Sequence, residues 1–130
     1  MAALSDHAEA LLLDWMMTTG SATRPTAWYI ALYTAAPSDS GGGTEVSTGG
    51  YARQSATFAA ATSPGGTTSN TNTIQFTASG ANYGTITHIG IFDAVSGGNL
   101  LWHGAMTASR VVNDGDTLEF SAGNIDLTIA

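Results

Sequence analysis

Acid–base or metal chemistry in this chain rests on three histidines and ten carboxylates, because the sequence contains no cysteine and no lysine. His88 and His103 lie on either side of a "SGG" segment that predicts a hairpin. If the glycines at 97–98 form its turn, Phe92 pairs with His103 and His88 falls opposite Thr107. The two imidazoles would then be about four residues apart along the ladder, too far for a shared metal. We interpret them as packing or hydrogen-bonding histidines.

The aspartates at 93, 114, 116 and 126 are the candidates for an acid–base pair. Asp114 and Asp116 lie in "NDGD", a predicted turn in which Asp bonds its own backbone. The spacing lacks the glycine and terminal glutamate of an EF-hand loop. The glycine runs lack the Gly-Lys-Ser/Thr ending of a phosphate loop, and no serine sits in Gly-x-Ser-x-Gly. We therefore predict that the protein is not an enzyme and needs no cofactor or metal.

The stretch "GTEVSTGGYARQ" places one of only three arginines directly after a glycine-rich loop. Gly49 and Gly50 allow a sharp turn into a strand predicted to begin at Tyr51. Arg53 then projects on the same face as Tyr51, two residues on. Three roles remain open for this pair: an intrachain contact with a carboxylate such as Glu45, a contact with a neighbouring subunit or capsid protein, or a small-molecule site.

The residues before Pro25 predict one helix over about 5–18. Ser5 is the expected N-cap, and Gly20 is expected to end the helix in the left-handed conformation. One face has the 3–4 spacing of a surface that packs on the domain's own sheet. It consists of Leu4, Ala8, Leu11, Leu12 and Trp15.

Three further residues of this helix, Leu13, Met16 and Met17, widen the apolar face beyond a single stripe. One sheet cannot easily cover both directions. We predict that these residues contact another chain. The alternative is that the loop "APSDSGGG" folds over them.

After Pro25 the sequence has the alternation and turn spacing of seven or eight short strands. The segments that show it are "AWYIALYT", a weak strand "YARQSATFAA", "TIQFTA", "TITHIGIFDAV", "NLLWHGAMT", Arg110–Val112, Thr117–Phe120 and "NIDLTIA". "SPGGTTSNTN" is predicted to be a polar loop. Strands and helices do not alternate along the chain, as they would in a parallel sheet. The pattern therefore predicts an antiparallel sandwich or barrel.

The composition narrows the class of partner. The chain has 130 residues, the size of one domain, and a net charge of -7 with only 10% charged residues. Binding to nucleic acid needs several Lys or Arg side chains, so we expect no nucleic-acid partner. No run reaches the roughly 18 apolar residues of a membrane span, so we expect no membrane partner either.

Two stretches, "GTEVSTGGYARQSATF" and "THIGIFDAVSGGNLLWHGAMT", resemble a family of small tailed-bacteriophage virion proteins. The segments "LSDHAEALLLDWMM" and "RPTAWYIALYTAAPSD" are also similar to it, so the resemblance covers nearly the whole chain in the family's order. Members are frequently labelled tail-fibre-like, and some resemble jelly-roll cement proteins that decorate the outside of an icosahedral head.

The resemblance implies a single domain over residues 1–130: an antiparallel β-sandwich of jelly-roll type, at about 27–130, with one N-terminal α-helix. It implies a head cement (decoration) protein that binds the major capsid protein on the outer surface of the head and stabilises the shell. It also favours a homotrimer, as does the wide apolar surface of the helix. The alternative function is a tail or tail-fibre component with possible receptor contact.

Overall fold

The alternating residues after Pro25 form antiparallel strands, and the 3–4 spaced residues before Gly20 form a helix. The computed structural model describes residues 2–129, and within them it is mainly β with one helix. The elements in chain order are β1 (Ala2–Leu4), α1 (Asp6–Met17), β2 (Trp28–Ala35), β3 (Thr44–Glu45), β4 (Gln54–Ala56), β5 (Thr67–Ser69), β6 (Ile74–Thr77), β7 (Gly84–Phe92), β8 (Leu100–Val112), β9 (Thr117–Phe120) and β10 (Asp126–Thr128).

One six-stranded sheet organises the fold. Its strand order is β1-β8-β7-β2-β3, and β4 also pairs with β2. Two small sheets, β6–β9 and β5–β10, supply residues to the same apolar core. Every pairing is antiparallel, which confirms the predicted mainly β, antiparallel class with one helix.

The central residues of β2, Ile30–Tyr33, are buried on both faces of the strand. Ile30 and Leu32 lie in the main core with residues of the small sheets, such as Phe76. Ala31 and Tyr33 point the other way, into a smaller cluster with Phe92 and Leu100. The main core therefore lies between the sheets, and the smaller cluster lies on the opposite face of the large sheet.

Helix α1 is fixed to the sheet at its N-terminal end. Ser5 is the N-cap as predicted: its side chain accepts a hydrogen bond from the Ala8 backbone N–H at 3.2 Å and donates one to the Leu100 carbonyl. Its own backbone N–H bonds the Leu101 carbonyl at 2.9 Å. The helix ends at Met17 with Thr18 as an extended C-cap, so the expected left-handed ending at Gly20 is wrong. The Thr18 side chain bonds the Asp14 carbonyl instead. No helix within residues 2–129 is long and apolar enough to cross a membrane.

The predicted inward face of α1 is buried only near its start. Ala8 is buried, and Leu4, Leu11 and Leu12 are partly covered. Trp15 is exposed, so its predicted packing on the domain's own sheet is wrong. The bonds that hold the helix all lie at its first turn, and its last two turns extend beyond the sheet.

The hairpin of β7 and β8 forms as predicted, but the predicted register is wrong. Phe92 pairs with Leu100, and His103 pairs with Gly90 rather than with Phe92. The loop is longer than two residues because the Asp93 carboxylate closes it, accepting from the Asn99 backbone N–H at 2.7 Å and from its side-chain amide at 3.0 Å. Local side-chain bonds of this kind set the loop length and thus the register.

Three predicted segment boundaries also differ. The strand expected from Tyr51 begins at Gln54, because the Tyr51 N–H still closes the glycine turn on the Thr48 carbonyl. The "SPGGTTSNTN" segment contains β5, which pairs with β10. The two strands expected before "NDGD" are one continuous strand, β8.

Asn70 anchors the end of β5 although the surrounding sequence is polar. It is buried, its Oδ1 accepts from the Ile125 backbone N–H at 2.8 Å, and its Nδ2 donates to the carbonyls of Asn72 (2.8 Å) and Ser121 (3.1 Å). One side chain therefore satisfies three backbone groups from two segments that are distant in sequence.

We expect Asn70→Ala to lower the free energy of unfolding by about 2–4 kcal/mol, because it leaves the buried Ile125 N–H and the Asn72 carbonyl without partners. Urea denaturation measures this. Asn124→Ala, at an exposed asparagine, is the matched control and should cost under ~0.5 kcal/mol. Equal losses in the two variants would show that the Asn70 bonds do not stabilise the fold.

Candidate functional site

Tyr51 and Arg53 converge on one carboxylate, that of Glu45 in β3. The Tyr51 hydroxyl donates to Glu45 Oε2 at 2.7 Å, and Arg53 Nε donates to the same oxygen at 2.9 Å. Arg53 Nη2 donates to Glu45 Oε1, also at 2.9 Å, so the ion pair is bidentate. This is the intrachain contact with Glu45 that was one of the three alternatives for the pair.

The Tyr51 hydroxyl also fills a gap in the large sheet. Strand β4 pairs with β2 as far as Ile30, and β3 pairs with β2 from Tyr33, so Leu32 lies between two partners. The Leu32 N–H donates to the Tyr51 hydroxyl at 3.0 Å, and the Leu32 carbonyl accepts from the Val46 N–H at 3.0 Å. A buried backbone donor in mid-strand is thus satisfied by a side chain.

The Tyr51 ring packs in the main core, whereas the Arg53 side chain reaches the opposite cluster. The ring stacks on Phe76 with 6.1 Å between centroids and meets Tyr83 edge-on at 5.8 Å. The Arg53 guanidinium lies 3.6 Å from the centre of the Phe92 ring. Tyr51 and Arg53 therefore share Glu45 but contact different apolar clusters. The two side chains were expected on one face of a strand, and they meet only at the Glu45 carboxylate.

Arg53 also holds the loop between β7 and β8. Its Nη1 donates to the carbonyls of Ala94 at 3.0 Å and Gly97 at 2.8 Å. With only 9% of its side chain exposed, Arg53 is engaged by its own chain on every side. Phe92 and this loop were missed as partners in the sequence analysis, since nothing local in the sequence marks a contact more than 35 residues away.

Electrostatics keep this cluster in one protonation state near neutral pH. Burial raises the pKa of Glu45, but the hydrogen bonds from Arg53 and Tyr51 outweigh it and leave the pKa below its ordinary value of 4.5. Burial and the bond to Glu45 raise the pKa of Tyr51 far above 10.0, so its hydroxyl remains a donor. The bond to Glu45 raises the pKa of Arg53.

The other titratable residues singled out in the sequence serve the fold. His103 Nε2 lies 2.7 Å from an Asp39 oxygen, and His88 Nδ1 lies 2.8 Å from the Thr87 hydroxyl. Asp114 and Asp116 each accept a backbone N–H, from Gly80 at 2.8 Å and from Asn113 at 3.0 Å. No group of three or more His, Cys, Asp or Glu within residues 2–129 is placed to hold a metal ion.

The last two turns of α1 carry the largest exposed apolar patch on one element. Here this patch is called the helix-end surface and consists of Leu13, Trp15, Met16 and Met17, each 60–73% exposed. Monomeric proteins rarely leave such a set uncovered. Among the described residues, the loop "APSDSGGG" does not bury it, which was the alternative for Leu13 and Met17.

The helix-end surface occupies two opposite sides of the helix, and Asp14 lies between them. At 100° per residue, Leu13, Met16 and Met17 form one broad ridge, and Trp15 lies roughly opposite. A helix that is apolar on opposite sides is normally enclosed by other elements. Trp15 was missed as a member of this surface, because helical spacing assigns a direction but cannot tell where the supporting sheet ends.

We expect Glu45→Gln to lower the free energy of unfolding at pH 7 by about 2–4 kcal/mol, because it leaves the buried Arg53 charge without its partner. The folded pKa of Glu45 is depressed, so the stabilisation is complete above 4.5 and is lost as pH falls through the folded value. The difference between wild type and variant should therefore shrink between pH 7 and pH 3.

Urea denaturation at the two pH values measures this difference. Glu119→Gln, at an exposed carboxylate of β9, is the control and should change stability by less than ~0.5 kcal/mol. A Glu45→Gln penalty that stays constant with pH would contradict the ionic origin of the stabilisation.

Comparison with known proteins gives one family match, and it covers nearly the whole chain. The chain matches no curated protein sequence. A family model described as "Podophage GP4 fiber I protein gp80" matches residues 3–128, which include the Glu45–Tyr51–Arg53 cluster and all of α1. The family resemblance expected from the sequence is therefore confirmed at the level of a phage virion protein. The chain belongs to the podophage fiber I protein gp80 family.

Proposed function

We propose that this protein is a structural component of a podophage tail fibre. The observation that carries the proposal is the match of the fibre-protein family over residues 3–128. This match supports the assignment of the chain as a phage virion structural protein. The assignment to a fibre is more specific than the assignment to a virion. It corresponds to the alternative function expected from the sequence, whereas the first expectation was head cement.

The described residues support a structural role. The Arg53, Glu45 and Tyr51 side chains are engaged in intrachain bonds, and so are Asp93 and Asn70. A net charge of -7 without lysine gives the surface little affinity for packaged DNA, which suits the outside of a particle. Head cement fits that surface equally well, and the family description is what supports the fibre.

The position of the protein on an intact particle tests the proposal. We expect gold-labelled antibodies raised against the purified protein to decorate the tail region in electron micrographs of whole virions. Competition with free protein controls for non-specific labelling. Labelling over the head shell instead would favour the cement function, with the major capsid protein as partner, and would overturn the fibre proposal.

We further propose that the protein assembles as a homotrimer through the helix-end surface. Its four side chains leave on the order of 500 Å² of apolar surface in water, a large share of the ~800 Å² that one partner buries in a standard interface. Covering each large apolar side chain is worth roughly 1.5–3 kcal/mol. In a symmetric assembly, the helix-end surface of every copy is buried by the same contact.

We expect the double variant Leu13→Ser/Met17→Ser to dissociate the trimer, raising its dissociation constant at least ~100-fold, since two fully covered side chains are lost. The stability of the separated chain should change by less than about 1 kcal/mol, because both residues are exposed in it. Sedimentation and urea denaturation measure the two effects.

Val95→Ser is the matched control, since Val95 is an exposed aliphatic residue in the loop between β7 and β8. It should leave the sedimentation of the protein unchanged. If the double variant unfolds, the two residues belong to a folding core. If it sediments as wild type does, they lie outside the interface. Either result contradicts the proposed contact.

A further inference from the structure

A pocket of about 480 Å³ opens on the face of the large sheet that lies opposite the main core. Its floor consists of Tyr33, Phe92 and Leu100, which belong to the smaller apolar cluster. Three segments form its walls: residues 5–7 at the start of α1, 39–42 between β2 and β3, and 98–99 before β8. An apolar floor with a few polar groups around it, at this volume, is typical of a small-molecule site.

Tyr33 supplies an unused hydroxyl to this pocket. Only 4% of the residue is exposed, and its hydroxyl forms no hydrogen bond within residues 2–129, whereas the Tyr83 hydroxyl donates to the Thr77 carbonyl at 2.8 Å. Every fully buried side-chain nitrogen or oxygen in the described part of the chain has a hydrogen-bond partner. The Tyr33 oxygen has none, so it faces open space, and this pocket is the space that Tyr33 lines. The hydroxyl is therefore available to a molecule inside the pocket.

Hydrogen bonds hold the walls of the pocket in place. The Asp6 N–H donates to the Asp39 carbonyl at 3.0 Å and joins the start of α1 to the loop after β2. One oxygen of the Asp39 carboxylate lies 2.7 Å from His103 Nε2. The loop also closes on itself, through backbone bonds of 2.8 and 2.9 Å between Ser38 and Gly41. Walls that are ordered before a ligand arrives reduce the entropy that binding costs.

The polar groups of the walls are mainly hydrogen-bond acceptors. The Asp6 carboxylate and the second carboxylate oxygen of Asp39 have no partner among residues 2–129. The Asn99 side-chain nitrogen donates to Asp93 at 3.0 Å, which leaves the Asn99 side-chain oxygen as an acceptor. A ligand that carries several hydroxyl donors matches such a set.

The charges around the pocket favour a neutral ligand. No arginine lines it, and the chain has no lysine, so a phosphate, sulfate or carboxylate group would face Asp6 and Asp39 without a basic partner. The N-terminal end of α1 also opens onto the pocket and carries partial positive charge, which disfavours a cation.

We propose that this pocket binds one saccharide unit, a small neutral molecule rich in hydroxyl groups. The Tyr33 hydroxyl bonds one hydroxyl of the sugar at the base of the pocket, and the carboxylates of Asp6 and Asp39 accept hydrogen bonds from others. The apolar floor contacts the C–H groups of the sugar ring. The inference uses contacts within one chain only, so it depends neither on the place of the protein in the virion nor on self-association.

Titration of the ¹⁵N-labelled protein with the methyl glycosides of glucose, galactose, mannose and N-acetylglucosamine, followed by NMR, tests the proposal. We expect at least one glycoside to shift the amide signals of Asp6, Asp39 and Asn99 saturably, with a dissociation constant on the order of 1 mM. Saturable shifts confined to other parts of the protein, or no saturable shift with any of the four, would overturn the proposal. This measurement needs no variant.

Tyr33→Phe removes the hydroxyl and keeps the ring. We expect it to weaken binding of that glycoside about 5–10-fold, because one hydrogen bond to the ligand is lost. Its urea midpoint should not fall, since the hydroxyl has no partner within residues 2–129. Tyr29→Phe, the same change on the same strand and face but outside the pocket, is the matched control and should keep wild-type affinity. Equal affinities of the Tyr33→Phe variant and wild type would contradict the site, and tighter binding of cationic glucosamine than of the neutral glycosides would contradict the ligand class.

Discussion

The fold depends on a single half-buried carboxylate. Glu45 holds Arg53 and Tyr51 at once, and each of these residues completes a different part of the structure. Tyr51 satisfies the N–H of Leu32 where β2 changes partner, and its ring fills the main core. Arg53 packs on Phe92 and holds the loop between β7 and β8. In a chain with three arginines, one of them is used entirely to join the two sides of the large sheet.

This economy of charge has a consequence for function. Arg53 and Glu45 are committed to each other within the chain, and we propose that the molecule relies on shape and apolar contact for recognition of other protein chains. The helix-end surface is the clearest case: α1 is fixed by Ser5 at one end and extends beyond the sheet at the other. We propose that this projection binds further copies of the protein, whose combined contacts act together.

Sequence patterns predict what depends on neighbouring residues. Ser5 is recognisable as an N-cap because capping needs only the next three residues, and the two faces of β2 follow from alternation alone. The turn at Gly49 and Gly50 forms as predicted, with both residues at positive φ. The hairpin register, by contrast, depends on the bond between Asp93 and Asn99. The short pairing of β5 with β10 and the exposure of Trp15 depend on where distant strands end, which no local pattern records.

The same division applies to the candidate site. Tyr51, Arg53 and Glu45 are close enough in sequence to be linked by inspection, whereas the contact between Arg53 and Phe92 arises only when the sheet forms. Self-association through α1 is the central claim, and the mass of the wild-type protein by light scattering at micromolar concentration tests it most directly. We predict three times the 13.2 kDa of one chain. A mass of one chain at every concentration examined would contradict it.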